Sequence, residues 1–258
     1  MQSQPLNFHL KGKKIYFASD FHLGAPDRET SRAREAKIIR WLESIRKDAA
    51  AIFLVGDIFD FWFEYGEVIP KGFIPFISKI SQLREEGIPI LFFTGNHDLW
   101  MRDYFTQELG IPVYSHPIEL MVDGKKILVG HGDGLGPGDH TYKMLKKVFT
   151  NPVAQWLFRW LHPDLGIRLA KAWSGHSRIT NIEKNENHFL GDDEWLWQYC
   201  KDLEAKVHHD LYIFGHRHLP LELEVSDNST YFNLGEWVSQ YTYLELSETE
   251  TSLKHFKG

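Results

Sequence analysis

Five short apolar runs punctuate the chain, and each stops at a small residue trailed at once by polar side chains. The runs are Ile15–Ala18, Ile52–Val55, Ile90–Phe93, Ile127–Val129 and Leu211–Phe214. Their length and their β-branched and aromatic content predict strands buried on both faces, the first spanning Lys14–Ser19. Their polar junctions are, in order, Ser19-Asp20-Phe21-His22, Gly56-Asp57, Gly95-Asn96-His97-Asp98, Gly130-His131-Gly132-Asp133 and Gly215-His216-Arg217-His218. Between the runs the apolar period changes to that of a helix. Arg32–Arg46 carries a stripe of Ala36, Ile39, Trp41, Leu42 and Ile45, and Phe73–Glu86 is closed by Gly87 and Pro89. A short helix is predicted over Tyr104–Leu109. Asp123-Gly124 within Met121–Lys126 is a hairpin signal, and Leu221–Val225, Tyr231–Leu234 and Tyr241–Leu246 alternate as closing strands. Residues 1–13 read as a polar lead and Gly24–Ser31 as an exposed loop. The aromatic loop Phe59–Tyr65 suits either core packing or an apolar groove.

From Leu135 to Cys200 this rhythm breaks. Strand signals give way to amphipathic helices over His140–Phe149, Pro152–Leu161 and Gly166–Trp173, then an Asn-rich stretch and a helix over Asp193–Ala205. Aromatic and basic residues interleave there, with Tyr142, Phe149, Trp156, Phe158, Trp160 and Trp173 among Lys143, Lys146, Lys147, Arg159, Arg168, Lys171 and Arg178. An aromatic stripe is ordinarily core and a basic one a solvated face. The combination suggests a cover for a ligand with apolar and anionic parts. The expected organisation is one domain over 1–258 with a helical lid inserted at about 135–200.

Composition narrows the setting. A net charge of −6 gives no reason to expect nucleic acid as a partner. A single cysteine, Cys200, excludes an internal disulfide and fits a reducing compartment. There is no apolar leader, and no run approaches the ~20 apolar residues of a membrane span. A cytoplasmic protein is expected, peripheral to a membrane if the lid meets lipid.

Five strands in one sheet would bring Asp20, His22, Asp57, Asn96, His131, His216 and His218 to one edge, where open α/β sheets bind ligands. A single Asp or His after a strand is ordinarily a turn residue, but turn chemistry does not produce five such junctions. Carboxylates, imidazoles and one amide carbonyl, with no thiolate, suit Mn²⁺, Fe, Zn²⁺ or Mg²⁺. Seven donors are too many for one ion with open positions. Shared through one bridging carboxylate they serve two ions, a device for in-line displacement at phosphorus.

In order, Asp20-Phe21-His22, Gly56-Asp57 through Asp60, Gly95-Asn96-His97-Asp98, Gly130-His131 and Gly215-His216-Arg217-His218 resemble the signature of the calcineurin-like metallophosphoesterases. The resemblance implies a four-layer α/β/β/α sandwich. It also implies one metal on Asp20, His22, Asp57 and His218 and a second on Asp57, Asn96, His131 and His216, with Asp57 as the bridge. The lid, Gly132-Asp133, Asp139, Tyr142 and the stretch Asn233–Val238 are similar, within that family, to the UDP-2,3-diacylglucosamine pyrophosphohydrolases. That similarity implies two divalent ions, Mn²⁺ by preference, a UDP-diacylglucosamine substrate and work on the cytoplasmic face of an inner membrane. The implied products are 2,3-diacylglucosamine 1-phosphate and UMP. Two features depart from that pattern: His97 stands where the commonest form has Arg, and Trp173–Ser177 is only loosely similar. Asn96 and His97 are the expected catalytic residues, with Asp98 either orienting His97 or capping a turn. Asp139, Tyr142, Trp156, Trp160, Ser177 and Arg178 are the expected substrate contacts, and Arg217 either meets phosphate or lies on the surface. The same signature also fits a hydrolase of nucleotides or small phosphodiesters. A non-catalytic protein-binding scaffold fits poorly, because such scaffolds lose metal ligands and all seven are present here.

Overall fold

A computed structural model of the chain describes residues 4–137, 140–169 and 188–258. In chain order the elements are β1 (Leu6–Phe8), β2 (Lys14–Ala18), α1 (Arg28–Ile45), β3 (Ala49–Val55), α2 (Ile74–Glu85), β4 (Ile90–Phe93), α3 (Tyr104–Leu109), β5 (Val113–Tyr114), β6 (Ile118–Val122) and β7 (Lys125–Gly130). After them come α4 (His140–Phe149), α5 (Pro152–Arg159), α6 (Trp195–Glu204), β8 (Leu211–Phe214), β9 (Pro220–Ser226), β10 (Ser229–Leu234), β11 (Thr242–Leu246) and β12 (Thr251–His255). Residues 163–169 are also helical, and no strand lies between β7 and β8 among the described residues.

The five predicted ligand-bearing strands form, but not in one sheet. β2, β3 and β4 belong to a sheet ordered β12-β11-β2-β3-β4-β5, and β7 and β8 to a second ordered β1-β6-β7-β8-β10-β9. The chain passes from one to the other after β5, where Ser115–Pro117 leads into the antiparallel pair β6–β7. The tip of that hairpin is Asp123-Gly124, both at positive φ as a type I′ turn requires. The polar lead also contains structure. β1 pairs in parallel with β6, placing Leu6 opposite Leu120.

Burial explains the layers. Ile15 and Phe17 of β2, Phe53 and Val55 of β3 and Phe93 of β4 meet Leu120, Val129, Ile213 and Phe232 of the second sheet in one cluster. The alternate residues Tyr16, Ala18, Ile52, Leu54 and Phe92 face outward onto Ile38, Trp41 and Leu42 of α1, Phe76, Ile80 and Leu83 of α2, and Phe105 of α3. On the other side, Leu128, Tyr212, Phe214 and Tyr231 pack under Leu196 and Cys200 of α6. Both faces of the inner strands are therefore covered, which is why their sequences read as unbroken apolar runs. The result is an α/β/β/α sandwich. Asp27 fixes the start of α1 by accepting from the amides of Glu29 and Thr30, so the helix opens four residues before the predicted Arg32.

Candidate metal centre

All five polar junctions lie at the C-terminal ends of their parallel strands, and hydrogen bonds lace them together. The Asp20 amide donates to the Gly56 carbonyl at 3.0 Å, that of His22 to the Asp57 carbonyl at 2.9 Å, and that of Gly215 to the His131 carbonyl at 2.9 Å. Across the two sheets, the His216 amide donates to Asp20 Oδ2 at 3.0 Å and the Trp237 amide to the Asp20 carbonyl at 3.1 Å. The His97 amide donates to Asp57 Oδ1 at 2.8 Å. Such close lacing needs glycine. A Cβ on Gly56 would run into the His131 ring, and one on Gly95 into the Asp57 carboxylate.

Five of the seven candidate ligands hold a left-handed backbone: Asp20 (φ 56°), His22 (45°), Asp57 (52°), His216 (70°) and His218 (55°). Non-glycine residues are strained there, and such strain concentrates at functional sites. The packing that sustains it is visible at Phe21, between Asp20 and His22. Its fully buried ring meets Trp237 at 5.2 Å, Phe76 at 6.1 Å and Trp41 at 6.3 Å. The aromatic points into the core and its neighbours turn toward the site.

The donors converge in two groups. Asp20, His22, Asp57 and His218 form one, with donor atoms all within 4.8 Å of one another, and Asp57, His131 and His216 another. Asn96 joins the second, its Oδ1 lying 3.3 Å from His131 Nε2 and 3.0 Å from His216 Nδ1. Asp57 Oδ2 faces both, 3.9 Å from His22 Nε2 and 3.4 Å from His131 Nε2.

The donors fit divalent cations on physical grounds. His22 Nε2 and His218 Nε2 stand only 3.0 Å apart, a close approach of two basic nitrogens that a cation or proton must relieve. Asp20 Oδ1 is buried and faces His218 Nε2 at 3.1 Å, and buried His22 Nδ1 makes no hydrogen bond. The electrostatics call for positive charge. Burial opposes charge on His131, yet the carboxylates, Asp57 foremost, lift it to about 10. Burial and the charge of His131 push His216 down to about 4. Burial also opposes charge on Asp57, yet the surrounding imidazoles hold its carboxyl well below the usual range.

Asp98 does not orient His97. Its Oδ2 accepts from the amides of Ile58 and Phe59 and its Oδ1 from that of Gly95, so it ties the loop after β4 to the loop after β3. Burial raises its carboxyl to about 7. The group beside the His97 ring is Asp60. Its carbonyl lies 3.2 Å from His97 Nδ1 and its carboxylate 3.7 Å, and the ring packs edge-on against His22 at 4.9 Å. Arg217 neither lies on the surface nor faces the site. It is buried, forms a two-bond pair with Glu194 (2.6 and 3.2 Å) and stacks over Trp195.

The aromatic loop Phe59–Tyr65 divides its roles. Phe59, Trp62 and Phe63 are core. Phe63 and Trp100 then receive Phe158 from α5 at 4.8 and 5.0 Å, and the Trp100 indole donates to the Phe149 carbonyl at the end of α4. Trp156 and Trp160 point away from this contact and are 55% and 74% exposed. Asp139, Ser177 and Arg178, and the side chain of Tyr142, lie outside the described residues.

Two supporting residues lie outside the expected site set. Arg34 is buried and donates through one guanidinium nitrogen to the carbonyls of Phe21, His22 and Ala25, holding the His22 loop from beneath. Asn233 donates to the Gly215 carbonyl at 2.5 Å and so fixes the loop that carries His216 and His218.

Comparison with known proteins agrees with this architecture. The calcineurin-like phosphoesterase family matches residues 13–220. A protein of Porphyromonas gingivalis named UDP-2,3-diacylglucosamine hydrolase is 39% identical over 242 residues, covering 89% of this chain and 92% of its own length. Proteins of the same name from Histophilus somni and Actinobacillus succinogenes are 25% and 27% identical, over 91% of this chain and 97% and 96% of theirs. By its fold, its donor cluster and the extent of these matches, the chain belongs to the calcineurin-like phosphoesterase family.

Proposed function

We propose that the chain is a metal-dependent hydrolase that splits the pyrophosphate of UDP-2,3-diacylglucosamine into 2,3-diacylglucosamine 1-phosphate (lipid X) and UMP. The carrying observation is the pair of donor groups sharing Asp57, in a chain whose relatives bear that substrate in their names. Asp20, His22, Asp57 and His218 would hold one divalent ion and Asp57, Asn96, His131 and His216 the other, Mn²⁺ in both places. Held there, divalent ions would supply a water activated toward phosphorus and positive charge to offset that on its oxygens.

The rest falls to the chain's own groups. A hydrogen bond from His97 Nδ1 to the Asp60 carbonyl fixes the ring, and Nε2 then serves the substrate. The imidazolium can give the Nε2 proton to the departing phosphate, which an arginine at this position could not do near neutral pH. The segment 135–200 serves as the lid of a single domain. Its inner residues Phe149 and Phe158 dock on Trp100 and Phe63, while Met144, Val148, Val153, Trp156, Leu157 and Trp160 form an exposed apolar face. Acyl chains lie against this face, and it brings the protein peripherally to the inner membrane. No described helix is long and apolar enough to cross one.

The test is incubation of the Mn²⁺-loaded protein with UDP-2,3-diacylglucosamine, scored for lipid X and UMP. Stoichiometric release of both is expected. Hydrolysis of nucleotides or simple phosphodiesters with the diacyl substrate left intact would overturn the reading.

A further inference from the structure

Next to His131, where the chain crosses between the sheets, lies a cavity of about 120 Å³ that the proposed roles leave unused. Pockets for drug-sized ligands run to roughly 300–1,000 Å³, so this one admits a single ring or a small group and no acyl chain. Its walls come partly from the lid, through Leu135 and Lys146, and partly from the sheets. Phe93 and Pro117 offer flat apolar surfaces, and Ser115 and His116 stand exposed beside them. Asp133 and Lys146 close the far side, joined at 2.6 Å. Thr94, also on the wall and buried, leaves its hydroxyl without a hydrogen-bond partner.

The charge decides between ligands. Lys146 is already paired with Asp133, and His131, the other cation on the wall, faces Asp57 at 3.4 Å, so an anion entering here would still meet the buried Asp133 carboxylate. A neutral, flat, polar ring suits it better. The imide edge of uracil offers acceptor, donor, acceptor in a row, and hydroxyl and imidazole groups can both give and take hydrogen bonds. We propose that this cavity takes the pyrimidine base of the nucleotide half of the substrate, with Ser115 and His116 reading its imide edge. The proposal rests on the reaction given above and places the nucleotide on the His131 side of the centre.

The experiment is calorimetric titration of UMP, AMP and inorganic phosphate into the Mn²⁺-loaded protein, as wild type and as Ser115→Ala and His116→Ala. Both positions are exposed, so the variants should fold, and circular dichroism checks that they do. UMP should bind wild type about tenfold or more tighter than AMP, the scale of two hydrogen bonds. Each substitution should weaken UMP by about 3- to 10-fold and leave AMP and phosphate unchanged. Equal binding of UMP and AMP, or UMP affinity untouched by both substitutions, would overturn the base pocket. The same preparations are assayed with UDP-2,3-diacylglucosamine. Hydrolysis without a UMP preference overturns the pocket and spares the reaction. A UMP preference without hydrolysis supports the pocket and overturns the reaction.

Discussion

Replacing Glu194 by alanine should destabilise the protein more than its distance from the reacting atoms suggests. Glu194 and Arg217 have side chains only 0% and 2% exposed, and they pair through Nε–Oε1 at 2.6 Å and a second bond at 3.2 Å. Removing the acid takes the carboxylate from a buried guanidinium, a change that costs about 3–5 kcal/mol in comparable pairs. At ~2–4 °C per kcal/mol for a chain of this size, Tm should fall by about 6–20 °C. The pair also bridges two parts of the molecule. Glu194 leads into α6, and Arg217 sits between His216 and His218. Metal affinity should therefore fall along with stability. The double substitution Glu194→Met with Arg217→Met should recover most of the stability, because two matched apolar groups leave no buried charge. Urea unfolding of the single and double variants measures both effects. A loss below about 1 kcal/mol in Glu194→Ala would show that the pair is solvated and refute the reasoning.

The same geometry sets three other outcomes. His97→Ala should keep its metals and fold but lose on the order of 10²–10⁴ in kcat; loss of an ion in His97→Ala would place it among the ligands. With diacyl substrates of increasing chain length, assayed below micelle formation, kcat/KM should rise at about 0.8 kcal/mol per buried methylene and flatten in Trp156→Ala or Trp160→Ala, whereas a flat wild-type series would remove the acyl contact. Just before β8, burial holds the His209 imidazole below its ordinary pKa despite its bond to Glu119. Its depressed pKa gives stability that is present above about pH 6.5 and is lost as pH falls through the folded value. His209→Gln should therefore flatten the fall in Tm between about pH 7.5 and about pH 5.5, and an unchanged slope would contradict the assignment.

Much of this structure was legible in the sequence for a definite reason. Strands covered on both faces appear as apolar runs whatever their partners, so β2, β3, β4, β7 and β8 stood out. Their distribution over two sheets did not, because it depends on distant pairings. β2 joins β11 more than two hundred residues later, and nothing local to either announces it. β1 is three residues long, β5 two, and β12 is a polar edge strand, so none carries a periodic signal. At the site, the residues singled out after the five runs come together because each strand delivers its next residues to the same end. The supporting groups were harder to see. Asp60 and Asp98 are both acids near the centre, and only the folded chain reveals that Asp60 flanks His97 while Asp98 collects three backbone amides. Arg34 and Arg217 look like solvated helix and loop cations, yet both are buried against carbonyls or a carboxylate.

Two ions sharing Asp57 would make hydrolysis depend on both. Elemental analysis of wild type and Asp57→Ala, paired with the lipid X assay on the same samples, tests it most directly. Wild type should carry two ions per chain and release lipid X, and Asp57→Ala should carry neither ion and release none. Near-wild-type metal content in Asp57→Ala, or undiminished hydrolysis by chelated wild type, would contradict the account.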